Sequence, residues 1–190
     1  VGIEVEGVAV LRRPDVPARG AAKRPEAQME AELSSMKRRL ILSFLFLIPL
    51  FYISMGHMMG APLPAFLVGH ENAISFAFTQ LLLTLPILYI NDKYYKNGFR
   101  SLLHGGPNMD SLIAVGSIAA VIYGVFAIYQ IGYGLGHGDM ARVEQYHMDL
   151  YFESAGMILT LITLGKFLET RSKGKTSQAI SRLMDLAPKT

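Results

Sequence analysis

Long uninterrupted apolar runs dominate this chain, and polar residues gather between them. Four runs reach or approach the ~20 residues needed to cross a bilayer: 40–59, roughly 73–90, 112 to about 135, and 150–168. Between the second and third the pattern changes. Tyr94, Tyr95, Phe99, Leu102 and Leu103 alternate with Lys93, Lys96 and Arg100, which predicts an amphipathic helix over 92–104 lying at the membrane interface. Gly105-Gly106-Pro107-Asn108 then breaks it and turns the chain into the third run. After the fourth run, Ala179, Ile180, Leu183 and Met184 keep helical spacing opposite Lys175, Ser177, Ser181, Arg182 and Asp185, so 170–186 reads as a stalk continuing out of the membrane. Pro49 and Pro86 fall inside the first two spans, where they are expected to kink the helices.

Upstream, residues 1 to about 28 mix Pro, Gly, Ala and charge without a period and read as a flexible tail. Partial alternation over 1–11 suits the last strand of something further upstream, and 29–39 holds good helix formers that extend the first span. The expected class is an all-α membrane protein: four transmembrane helices, an amphipathic helix and the start of a stalk. The expected division is a tail over 1–35, the first two spans with the amphipathic helix over 36–106, the next two spans over 107–170, and the stalk over 171–190. No internal repeat is visible.

Charge refines this picture by orienting it. Lys37, Arg38 and Arg39 precede the first span; Lys93, Lys96 and Arg100 follow the second; Arg171, Lys173 and Lys175 follow the fourth. The connection over 60–72 has no Lys or Arg, and that over 136–149 has only Arg142. The positive-inside rule then places both termini and the middle connection in the cytoplasm of a multi-pass cell-membrane protein. The net charge of +3 follows from this topology, and no nucleic-acid partner is implied. Hydrophobic residues make up 51% of the chain, charged residues only 17%, and mean hydropathy is +0.32. The basic triplet before the first span resembles a signal-peptide start. However, some 36 residues precede it and no small-residue cleavage site follows, so the span is expected to be retained. There are no cysteines, which excludes disulfides and Cys-x-x-Cys metal sites within this chain.

The candidate chemistry starts with two acids. Glu153 and Glu169 bracket the apolar part of the fourth run, and sixteen residues of helix cover about 24 Å of a ~30 Å hydrocarbon core. An acid inside a membrane helix marks a pathway by default, the alternative being an interfacial side chain that snorkels into headgroups. Glu169, beside Lys166 and Arg171, fits that alternative better than Glu153, which stands among Leu150, Tyr151, Phe152 and Met157. Met109 opens the third span at the end where Glu169 closes the fourth. Antiparallel neighbours can bring the two together, and a thioether with a carboxylate suits a soft ion such as Cu(I), a plain core Met with an interfacial Glu being the other reading. Met55, His57, Met58 and Met59, and later His137, Met140, His147 and Met148, lie on the same side as Glu153. His and Met suit copper and, for His, zinc, although isolated loop residues of these types are ordinary surface.

Four segments in order, Pro107-Asn-Met109-Asp-Ser-Leu-Ile-Ala-Val-Gly116, Tyr151-Phe-Glu153-Ser-Ala, Leu164-Gly-Lys-Phe-Leu-Glu169 and Ala179-Ile-Ser-Arg-Leu-Met-Asp-Leu-Ala-Pro188, resemble the heavy-metal-transporting P-type ATPases, the Cu(I)-exporting branch most closely. The resemblance covers roughly residue 36 to the end. It implies that Met109 and Glu169 match entrance residues that accept Cu(I) as the transported ion, and that Glu153 matches an exit-side glutamate. It implies that helix 92–104 is a platform where Lys93, Lys96 and Arg100 dock a copper chaperone or soluble metal-binding domain, and that 171–190 leads into the actuator domain.

The chain departs from the pattern in five places. Where many members kink the second span with Gly-Gly, this chain has Ile90-Asn91. The amino-terminal Cys-x-x-Cys domain, the membrane Cys-Pro-Cys motif, and the Thr-Gly-Glu and Asp-Lys-Thr-Gly-Thr motifs are absent from the sequence. ATP and Mg2+ therefore belong to a full-length pump, whose remaining helices and cytoplasmic domains are expected partners. The expectation is an amino-terminal fragment of a Cu(I) exporter. A zinc or cadmium pump of the same family, or a non-enzymatic four-helix metal-binding membrane protein, stands as the alternative.

Overall fold

The computed structural model describes residues 19–186, and among them there are helices and no strands. The helices are α1 (Arg19–Met58), α2 (Ala73–Ile90), α3 (Asp92–Leu103), α4 (Met109–His137), α5 (Met140–Met148) and α6 (Phe152–Leu186). Short 3-10 turns at Ala65–Leu67 and His70–Asn72 lie between α1 and α2. α1, α2, α4 and α6 are long and apolar enough to span a bilayer. Between 28% and 39% of each spanning window is buried inside the bundle, so most of the apolar surface faces outward, as a lipid-embedded bundle requires. Ile41, Leu45 and Ile48 on α1, and Leu82 and Leu85 on α2, are among these outward residues.

The core lies where the four spans meet. Leu47 and Leu50 of α1, Ile87 of α2, Ala127 and Ile131 of α4, and Phe152 and Leu159 of α6 are buried there. α1 packs on α2 and α6, α2 on α4 and α6, and α4 on α6 and α5. Small residues set the closest approaches. A Cβ on Gly124 would lie 2.4 Å from the fully buried ring of Phe152, so α4 meets α6 there only because Gly124 has no side chain.

The second span does not need glycines to bend. α2 ends and α3 begins across the single residue Asn91, whose φ of −105° and ψ of 24° take it out of the helix. Its fully buried side chain donates to Ser43 Oγ of α1 (2.8 Å) and to its own helix at Ile87 O (2.9 Å). It accepts from Thr163 Oγ1 of α6 (3.0 Å), and the Tyr94 hydroxyl of α3 lies 3.1 Å from the same Thr163 oxygen. The amide thus ends one helix, starts the next and ties two others, α1 and α6, to the break. Pro49 and Pro86 both sit inside continuous helices.

Two expectations change. α1 is helical from Arg19, so 19–28 is not the irregular tail its mixed composition suggests. Ala21, Ala22, Glu26, Ala27 and Gln28 are strong helix formers that run without a break into 29–39. The connection over 136–149 contains helix α5, capped by Asp139, whose carboxylate accepts from Arg142 N. Residues 1–18, with the strand suggested over 1–11, and 187–190 lie outside the described residues. So do the side chains of His57, Met58 and the stalk face over 177–186, whose backbone is helical as expected.

Two stability outcomes follow. Gly124→Ala should destabilise the bundle by about 1–3 kcal/mol through overpacking, and Phe152→Leu should recover part of it in the double variant. Asn91→Leu should cost about 1–3 kcal/mol, because Thr163 and Ser43 keep buried hydroxyls without this partner. Thermal unfolding in nanodiscs measures both, and unchanged melting would remove the structural weight given to these contacts.

Candidate metal path

α4 starts where it does because Asn108 caps it. The Asn108 side chain accepts from Ser111 N (2.9 Å), and Ser111 Oγ accepts from Asn108 N (3.3 Å), which closes a reciprocal capping box. Ser111 Oγ also donates to Gly98 O of α3 (2.7 Å), and a Cβ on Gly98 would lie 2.4 Å from Asp110 O. The cap therefore pins α3 against the first turn of α4 and leaves Met109 as its first residue, 61% exposed.

At this level α4 and α6 are joined by an ion pair the sequence did not single out. Lys166 Nζ lies 2.5 Å from Asp110 Oδ1 and 4.7 Å from the centre of the Tyr94 ring. Asp110 in the first turn of α4 also complements the helix dipole. Glu169, one turn beyond Lys166, is held by Lys173 at 2.6 Å and stays exposed. Met109 and Glu169 thus flank the same inter-helix bridge at one end of the bundle, as the antiparallel pairing requires. Beside them a groove of about 730 Å³ is lined by Met29 and Glu32 of α1, Lys93 of α3, and Thr170 and Lys173 of α6.

α3 runs across this end with Tyr94 and Gly98 buried beneath it. Lys93, Lys96 and Arg100 are all exposed on its outer side, in the amphipathic pattern expected. Lys96 pairs with Asp92 at 2.5 Å. That hydrogen bond holds the Asp92 carboxyl below its ordinary range and the Lys96 ammonium above its own.

The opposite end of α6 carries Glu153. Its Oε1 lies 3.5 Å from Ser154 Oγ, and its Oε2 is buried with no hydrogen-bond partner among the described residues. It faces a cavity of about 50 Å³ lined also by Ser54 and Met55 of α1, Phe76 and Gln80 of α2, His147 and Met148 of α5, and Leu150. Of the His and Met residues on this side, the structure brings Met55, His147 and Met148 to Glu153. His137 is not among them: its ring stacks on Tyr133 at 3.9 Å with Nδ1 2.9 Å from Tyr133 O. Met59 and Met140 are exposed and do not line the cavity. No group of three or more His, Asp or Glu able to hold a metal occurs among the described residues.

Comparison with known proteins gives this arrangement a context. The chain is 38% identical to "Copper-transporting ATPase 1" of Rhizobium meliloti over 178 residues, 91% of this chain and 20% of that protein. It is 32% identical to "Copper-exporting P-type ATPase" of Staphylococcus epidermidis over 176 residues, 92% of this chain and 20% of that protein. The chain belongs to the copper-transporting P-type ATPases. It is also 36% identical to "Probable copper-importing P-type ATPase A" of Enterococcus hirae over 167 residues, 86% of this chain and 20% of that protein. The chain spans about a fifth of the length of these curated relatives. No protein-family model and no solved structure matches it.

Within this copper-transporting ATPase segment, sequence reasoning missed Gln80, Asp110 and the bridging role of Lys166. Gln80 was visible as the one carboxamide within 73–90, whereas the Asp110–Lys166 pair joins positions 56 residues apart and leaves no local signal.

Titration of the α3 pair gives a check on its geometry. Because the Asp92 pKa is lowered, its contribution is present above the unfolded carboxylate value and is lost as pH falls through the still lower folded value. Because the Lys96 pKa is raised, its contribution holds below the unfolded lysine value and disappears as pH rises through the higher folded one. Lys96→Gln should return Asp92 toward its ordinary pKa. Carboxyl-carbon NMR would show this, and an unmoved Asp92 titration would contradict the pairing.

Proposed function

We propose that this chain is the amino-terminal membrane part of an ATP-driven pump that exports Cu(I). The observation that carries the reading is one continuous helix, α6, bearing Glu169 beside the Met109 end of α4 and Glu153 at a polar cavity on the other side. Nine-tenths of the sequence aligns with proteins named as copper transporters. The basic connections favour a cytoplasmic position for the α3 end and for both termini. In this orientation Met109 and Glu169 form the entrance and Glu153 lies on the exit side.

Each group has a defined task. The Met109 thioether recognises a soft ion, and the Glu169 carboxylate adds charge that lowers the cost of removing the ion from its carrier. Met109 is exposed at the helix terminus, where an incoming carrier can reach it. Lys93, Lys96 and Arg100 present positive charge to the acidic face of a copper chaperone or soluble metal-binding domain, steering its approach. Residues 171–190 lead toward the actuator domain, and phosphorylation with ATP and Mg2+ takes place in parts of the pump beyond this segment. The relatives' names include both export and import; export is favoured because the entrance pair lies on the basic side. Copper is favoured over zinc or cadmium by the thioether and by the relatives' names.

In the full-length pump, Met109→Ala with Glu169→Ala should reduce Cu(I)-stimulated ATP turnover at least tenfold, and unchanged turnover and transport would reject the entrance. Reversing the charge of Lys93, Lys96 and Arg100 to Glu should slow copper delivery from an acidic carrier. Delivery of free Cu(I) complexes should stay normal, which separates docking from transport.

A further inference from the structure

We propose that Gln80, His147 and Met148 are further donors that join the exit-side Glu153 in holding a soft monovalent cation as it passes the cavity they share. The proposal deepens the export reading and rests on it.

Gln80 is the observation that asks for an occupant. It is 1% exposed in the middle of an apolar span, and neither its Nε2 nor its Oε1 has a hydrogen-bond partner among the described residues. A buried carboxamide left unpaired costs about 1–3 kcal/mol, and such groups are rare unless something binds them. Glu153 Oε2 is in the same condition, and both side chains line the same cavity. They do not satisfy each other, so a carbonyl oxygen and a carboxylate oxygen both stand ready to accept from or ligate a third group.

The remaining wall indicates which group that is. Met55 and Met148 bring thioethers and His147 an imidazole, a set suited to Cu(I) or Ag(I) and poorly suited to Mg2+ or Ca2+. The ring of His147 is buried and held 4.5 Å from that of Phe76, which fixes it over the cavity. About 50 Å³ has room for one stripped ion or for a few waters. Exposure rises from Gln80 at 1% to Met148 at 59%, so the donors run from buried oxygen to a thioether at the mouth. In this arrangement the Gln80 carbonyl and the Glu153 carboxylate meet the ion first, and His147 and Met148 pass it outward. Two of these donors stand on α5, the helix within the connection.

The test uses the full-length pump in nanodiscs, with methionine methyl groups labelled and Ag(I) as the probe. Ag(I) should shift the Met148 methyl resonance. Gln80→Leu should weaken that response about tenfold, as should His147→Ala. Gln80→Leu removes an unpaired polar group, so its melting temperature should hold or rise, and weakened binding cannot then be ascribed to misfolding. A Met148 methyl that stays unmoved, as when the cavity holds water only, overturns the proposal. So does a Met148 shift with the same affinity in Gln80→Leu. If either occurs while Glu153→Gln still impairs metal release, the subsite fails and the export path stands. If Glu153→Gln leaves release unchanged, the export path itself fails.

Discussion

A single buried amide organises the half of the molecule that holds Met109 and Glu169. Asn91 sits at the only residue between α2 and α3, and every polar atom of its side chain is engaged, by Ser43, Thr163 and its own helix. In an apolar, water-free surrounding such bonds are costly to leave unmade, which makes this break in the chain a fixed angle rather than a soft hinge. The position of α3 across the bundle, its contact with the capped start of α4, and the placement of Tyr94 under Lys166 all follow from it. A Gly-Gly step would reach a bend by permissiveness; Asn91 reaches it by a network that specifies one geometry.

The two ends of α6 are built on opposite terms. Near Glu169 the two acids are paired: Lys173 holds the glutamate, and Lys166 joins Asp110 across to α4. Near Glu153 polar atoms are buried and left open. The first arrangement suits a surface that exchanges cargo with a soluble carrier in competition with water. The second suits a compartment in which an ion stripped of water is compensated only by what lines the wall.

Much of this was readable from the sequence because membrane spans are encoded locally. The second span, expected over 73–90, is Ala73–Ile90; the amphipathic helix expected over 92–104 is Asp92–Leu103; and Met109 does open the third long helix. Apolar length and the Asn108-to-Ser111 cap carry that information within a few residues. What the sequence hid is long-range or mixed in pattern. Ser43, Asn91 and Thr163 read as scattered small polar residues until three helices bring them together. α5 was hidden because Met, His and Arg in a short connection carry no clear period, and because its cap depends on the side chain of Asp139 alone. That Met109 and Glu169 lie at the same end of the bundle could be inferred from topology, whereas the union of Met55, Gln80, His147 and Glu153 required four different helices and a cavity.

The contact between Gly124 and Phe152 has a consequence for the direction of travel. Seated in the notch on α4, the Phe152 ring fixes the azimuth of α6, and the next residue is Glu153. An α-helix turns about 100° per residue, so Glu169, sixteen positions on along the same unbroken helix, points about 160° away from Glu153 around the axis. The two carboxylates therefore look toward nearly opposite flanks of α6. On the proposed export path, cargo passing from one to the other cannot simply follow a stripe along this helix: it has to cross from one flank to the other, through a middle station that neighbouring helices must supply.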